Sequence, residues 1–158
     1  MIEYFPEARH AAKAIAEWTL AGHYDKQGVP TIDHVSRVEA RVKDAGGTHE
    51  QRIAALLHDS IEDGADKIDY ATIRRLFGRD VADIVRAVTR WPEPALCYRT
   101  YIERIESYPP ALLVKLCDLE DNLDEAVRGV LQDPIERERL RTRYLAARDK
   151  IREMMAVA

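Results

Sequence analysis

The stretch Ile53-Ala54-Ala55-Leu56-Leu57-His58-Asp59-Ser60-Ile61-Glu62-Asp63 joins an unbroken apolar run to four ionisable side chains. Five apolar residues without alternation fit a helix buried on most of its sides. An unpaired His-Asp at the end of such a run is costly to desolvate, and a metal ion held by both side chains offsets that cost. On a helix, Glu62 lies one turn beyond His58 and Asp63 one turn beyond Asp59. The four groups then occupy neighbouring faces of one helical end. A divalent cation there lowers the pKa of its water, and a nearby carboxylate removes the proton. Alone, a His-Asp dipeptide equally fits a helix terminus with a hydrogen-bonded histidine. Two further stretches add nitrogen and oxygen donors beside apolar residues: Ile32-Asp33-His34, and Lys115-Leu116-Cys117-Asp118-Leu119-Glu120-Asp121-Asn122.

Outward from this run, helical periodicity and helix punctuation dominate. A first helix is predicted over about Pro6 to Ala21, with Ala8, Ala12, Ile15 and Thr19 on one face. Asp25 to Pro30 reads as a loop, and Thr31 to Ala45 as a second helix ended by Gly46-Gly47. Thr48 and Gln51 have capping-box spacing ahead of the apolar run. Further helices are expected at Tyr70 to Phe77, stopped by Gly78, and from Asp80 as cap, with Val81, Ile84, Val85 and Val88 inward. Trp91-Pro92-Glu93-Pro94 must turn. Cys97 to Glu106 is a short helix, and Pro109-Pro110 opens another to about Val127. Asp133-Pro134-Ile135-Glu136 starts a last helix to about Met155. The Arg and Glu residues of that helix recur at intervals of three and four and read as a solvated surface. The prediction is an all-α chain, a single domain over residues 1–158 with about seven or eight helices.

With 158 residues, 46% hydrophobic and 33% charged, the chain has a globular balance. It shows no apolar run of membrane-spanning length and no signal-peptide pattern, so a cytoplasmic location is expected. The lack of a spanning run argues against a membrane partner and a net charge of −4 against a nucleic-acid one, but a cation within one cleft still admits an anionic small molecule. Cys97 and Cys117 read as free thiols, the second in the core. Lys115 either binds phosphate or snorkels to water. His10, His23 and His49 fall outside the ligand pattern, and Trp18 and Trp91 read as packing residues.

The order His34, His58-Asp59, Asp118 resembles the H…HD…D signature of the HD-domain phosphohydrolase superfamily. Within it, the chain is similar to the hydrolase domain of the RelA/SpoT homologues and to stand-alone small alarmone hydrolases. The supporting stretches are Lys26 to His34, Ala54 to Asp63, Phe77 to Val81, Val88-Thr89 and Val114 to Asp118. The resemblance implies an HD-type helical bundle. It implies His34, His58, Asp59 and Asp118 as ligands of one divalent ion per chain, usually Mn²⁺. Glu62 and Asp63 would position or activate the attacking water, and Lys26, with Lys115, would offset substrate charge. Asn122 would contact a nucleotide sugar. The implied reaction is hydrolysis of the 3′-pyrophosphate of ppGpp. Asp25, Thr31, Val35, Leu119 and Asp121 depart from the family pattern. Asp25 and Leu119 stand where basic residues are expected, Asp121 where an aromatic residue or a histidine is, Thr31 for a Tyr and Val35 for a Pro. The lost cations and added acids leave open another phosphorylated nucleotide, or a non-catalytic nucleotide-binding role. Oligomeric state is not legible.

Overall fold

Alanines at four-residue intervals let the first helix lie close to its neighbours. Helix α1 (Phe5–Thr19) buries Ala8, Ala12, Ala16 and Thr19, with Ile15 partly covered. The computed structural model describes residues 1–2, 4–64, 66–92, 97–124 and 133–157. After α1 a loop closes on itself through a bridge between Tyr24 and Pro30 and a bond from Thr31 N to His23 O at 3.0 Å. Helix α2 (Thr31–Asp44) points Val35, Val38 and Val42 inward and ends at Gly46, whose φ of 77° suits glycine.

Helix α3 (His49–Leu57) begins with the expected capping box and buries all of Ile53 to Leu57. It packs against α1 and α2 on one side and later helices on the other, so it runs through the core. Leu56 and Leu57 are fully buried, each contributing about 1.5–3 kcal/mol relative to exposure. The helix does not continue through the histidine, as a single uninterrupted helix requires. His58 and Asp59 form a turn, and a short helix α4 (Ser60–Gly64) follows. The His58 ring takes the Ala55 carbonyl at 2.7 Å, the group a continuing helix would offer to the Asp59 N–H.

Helix α5 (Tyr70–Phe77) is capped by Asp69, and Gly78 at φ 90° separates it from α6 (Arg79–Val88). Helix α6 starts at Arg79, so Asp80 lies inside its first turn rather than capping it. Helix α7 (Tyr98–Ile105) is followed by a single 3₁₀ turn at Pro109–Ala111, which leads into α8 (Leu112–Leu123). The predicted extension of α8 to Val127, and Glu93-Pro94 of the predicted turn, lie outside the described residues. Asp133 Oδ1 accepts from Ile135 N at 3.0 Å and starts α9 (Pro134–Val157), whose buried stripe Leu140, Ala147, Ile151 and Met154 faces α8 and α7. Among the described residues there are eight helices of eight residues or more, plus α4, and no strand. The expected all-α architecture holds, with the third helix divided at His58-Asp59. No helix among the described residues is long and apolar enough to cross a membrane.

Candidate active site

Three helical elements deliver the donor set to one point. His34 comes from the first turn of α2, His58 and Asp59 from the turn after α3, and Asp118 from α8. Ligand atoms of His34, His58 and Asp59 all lie within 4.8 Å of one another. Asp118 Oδ1 lies 3.0 Å from His34 Nε2 and 3.6 Å from His58 Nε2. His58 Nδ1 faces the Ala55 carbonyl, which only accepts, so Nδ1 carries a proton and Nε2 holds the lone pair of the neutral ring. That Nε2 is buried without a hydrogen-bond partner among the described residues, Asp59 Oδ1 standing 3.3 Å away. Two imidazoles and two carboxylates around an orphaned ring nitrogen fit a divalent metal ion.

The electrostatics agree with that fit. Burial disfavours charge on His58, but Asp59 and Asp118 outweigh it and push the ring up to about 9. Burial likewise opposes a charged His34, and hydrogen bonds to Asp118 and Asp121 raise it nonetheless. Asp118 is held well below the carboxylate range, against its burial, by Lys115 and the two histidines. The cluster therefore favours positive charge at its centre.

The remaining predicted site residues surround this centre. Glu62 and Asp63 line the pocket and are accessible to solvent, yet the protein around them limits hydration. That burial, and then Asp59, pushes Glu62 up to about 7 and raises Asp63. Glu62 Oε1 accepts from Arg90 N at 3.0 Å. Lys115 does not snorkel: it is buried, with Nζ 2.7 Å from Asp118 Oδ2 and 5.2 Å from the Tyr101 ring centre. Asn122 donates its amide to Asp118 O at 3.0 Å and Oδ1 at 2.8 Å. Lys26 stands at the mouth, 3.8 Å from Glu136, and partial burial followed by Arg143 lowers its pKa.

These residues share one cleft of about 390 Å³. Its far wall was missed in the sequence. Arg137, Arg141, Arg143 and Tyr144 of α9, with Arg90 and Tyr98, line it. The α9 arginines are thus not only a solvated surface. Arg137, Leu140, Arg141 and Tyr144 follow helical spacing and extend the buried stripe of α9 into the cleft, a signal present in the sequence. Arg143 lies 4.4 Å above the Tyr98 ring, and its Nε is buried without a partner among the described residues.

Of the departures from the family pattern, Asp25 and Thr31 line this cleft, while Val35, Leu119 and Asp121 do not. Asp25 Oδ1 accepts from Gln27 N at 2.8 Å and Val29 N at 2.9 Å, holding its own loop. Leu119 and Asp121 are fully buried, and Asp121 is engaged by His34, Arg37 and Arg41.

An all-helical core that gathers two histidines and two aspartates at one point defines a class of helical proteins with a metal-type donor set. The chain belongs to the HD-domain family, whose model, described as "HD domain", matches residues 9–94 and so includes His34, His58-Asp59 and Glu62-Asp63. It is 32% identical over 132 residues to a protein of Aquifex aeolicus (strain VF5) named guanosine-3′,5′-bis(diphosphate) 3′-pyrophosphohydrolase, covering 78% of this chain and 19% of the relative. It is 37% identical over 108 residues to the Drosophila melanogaster protein named guanosine-3′,5′-bis(diphosphate) 3′-pyrophosphohydrolase MESH1, covering 63% of this chain and 57% of the relative. The chain thus spans about a fifth and a little over half of the lengths of these two curated relatives. A solved structure described as "A metazoan ortholog of SpoT hydrolyzes ppGpp and plays a role in starvation responses" superposes with a TM-score of 0.76 at 26% identity, covering 98% of this chain and 88% of the other.

Proposed function

We propose that this chain is a metal-dependent phosphohydrolase that releases pyrophosphate from the 3′ position of ppGpp, leaving GDP. One observation carries the reading. The buried polar side-chain atoms without a hydrogen-bond partner among the described residues are Gln27 Oε1, His58 Nε2 and Arg143 Nε, and all three residues line one cleft. An acceptor, a metal-type lone pair and a guanidinium donor suit a phosphorylated nucleotide carried on a cation. The names of the two curated relatives and the description of the structural neighbour support ppGpp as that nucleotide.

In this reading His34, His58, Asp59 and Asp118 hold one Mn²⁺ per chain. When bound, the ion supplies a Lewis acid for phosphoryl oxygens and lowers the pKa of water. Glu62 and Asp63 orient the attacking water and remove its proton; the water oxygen bonds to the phosphorus attached to the 3′ oxygen. The bond from that phosphorus to the 3′ oxygen breaks, and the proton ends on the nucleotide hydroxyl. Lys115 sets the orientation of Asp118 and adds positive charge to the cleft floor. Lys26 and the α9 arginines face the phosphates, and Asn122 contacts the sugar. Leu119 and Asp121 turn away from the cleft, and Asp25, which lines it, is engaged by the backbone N–H groups of its own loop. A cytoplasmic location belongs to the same reading.

A panel of nucleotides with added Mn²⁺, assayed for phosphate and pyrophosphate separately, tests it. Pyrophosphate and GDP from ppGpp are expected, and Asp59→Ala should lose both bound metal and turnover. Inorganic phosphate released only from other nucleotides would move the substrate elsewhere. Binding without turnover under every metal would make the chain a regulatory module. An Asp59→Ala variant as active as the wild type would misplace the site.

A further inference from the structure

His34 reaches the centre through Nε2, but its other nitrogen is also held. Nδ1 lies 2.7 Å from Oδ2 of Asp121, a fully buried carboxylate on α8. Arg37 Nε donates to Asp121 Oδ1 at 3.0 Å, and its Nη2 reaches Oδ2 at 3.3 Å. Arg41 Nε donates to Oδ1 at 3.3 Å, while its Nη2 pairs with Asp124 at 2.7 Å. Both arginines stand on α2, three and seven residues after His34, on the same helical face. A carboxylate clamped by two guanidinium groups can only accept at its histidine-facing oxygen. Nδ1 of His34 must therefore carry the proton of that bond.

We propose that Asp121, clamped by Arg37 and Arg41, is a positioning residue that fixes His34 in the Nδ1–H tautomer and aims Nε2 at the metal centre. His58 reaches the same tautomer by another route, because the Ala55 carbonyl accepts from its Nδ1. The backbone fixes one ring and a side-chain carboxylate fixes the other. A carboxylate partner also makes the imidazole a stronger electron donor than a carbonyl does, so loss of Asp121 weakens the ligand as well as freeing its rotation. Asp121 has no exposed surface and does not line the cleft, so it acts on His34 and not on substrate. The resemblance places an aromatic residue or a histidine at this position, which makes the clamp a property of this chain.

The inference rests on the metal-dependent reading above. Mn²⁺ affinity of the purified full chain, by calorimetry and by competition with a chelating dye, separates the two. Asp121→Asn should weaken Mn²⁺ binding about 10–100-fold. Excess Mn²⁺ should restore much of kcat, with KM for the nucleotide little changed. A purely structural role would lower the Tm of the metal-free protein and leave Mn²⁺ affinity within twofold of wild type, and that result would overturn the inference. If Asp121→Asn does not fold, the paired variant Arg37→Gln, Arg41→Gln decides. Weaker Mn²⁺ binding supports the clamp, and unchanged binding refutes it. Failure of the wild-type chain itself to bind Mn²⁺ refutes the underlying reading instead.

Discussion

Glu62 occupies an unusual position among the acids of the cleft. Its Oε1 is tied to Arg90 N at 3.0 Å, so the side chain is oriented by the backbone just after α6. Confinement within the protein, with Asp59 nearby, holds it at about 7, where a carboxylate takes up and releases a proton near neutral pH. Glu62→Gln keeps the shape and removes the base of the proposed reaction. The variant should lose about 10²–10⁴-fold in kcat while binding Mn²⁺ as the wild type does, measured by steady-state turnover beside metal calorimetry. An unchanged kcat would pass the role to Asp63. The residue types at this centre were legible because polar groups next to Leu57, Ile32 and Leu116 need partners wherever the chain folds. What holds each ring was not legible. Whether Asp121 faces the cleft or His34 depends on how α8 packs against α2, and one sequence does not encode that direction visibly.

Helix packing supplies the rigidity on which the donor set depends, and Glu39 concentrates much of it. This buried residue of α2 accepts from Arg9 of α1 at 3.2 and 3.0 Å and from Arg52 of α3 at 2.8 Å. Three helices meet at one carboxylate. Burial raises its pKa, but the two arginines outweigh burial and hold it below the ordinary glutamate value. A lowered folded-state pKa gives stability that is present above the unfolded value and is lost as pH falls through the folded one. Glu39→Gln should therefore cost about 1–3 kcal/mol near neutral pH, seen as a lower midpoint in urea. The gap from wild type should narrow once the pH falls below the ordinary glutamate range. A gap independent of pH would mean that packing, not charge, accounts for the loss. At this scale most helices were readable from periodicity, and the Thr48–Gln51 box marked the start of α3 correctly. The break at His58-Asp59 was not, because a side chain of the site itself competes for the Ala55 carbonyl in the last turn of α3.

Over the whole molecule the charge is distributed against the net sign. The chain carries 28 acidic and 24 basic residues, net −4, yet the wall formed by α9 brings Arg137, Arg141 and Arg143 to a cleft that also holds Lys26, Arg90 and Lys115. Long-range repulsion and short-range attraction therefore oppose each other for a polyanion approaching this surface. At about 0.15 M salt the Debye length is about 8 Å, so the distant acids are screened while contacts inside the cleft persist. Arg141 separates these terms, since it is exposed on the wall and remote from the histidines in sequence. A charge-assisted contact to phosphate contributes about 1.5–3 kcal/mol, or roughly 10–100-fold in binding. Under the proposed function, in which Arg141 binds substrate and takes no part in the proton transfer, Arg141→Ala should raise KM for ppGpp by about tenfold or more with kcat nearly unchanged. It should also flatten the rise of KM with added salt. A KM that stays put while the salt dependence is retained would place the phosphates against other cations of the cleft, such as Lys26 and Arg90, and would make Arg141 a surface feature after all.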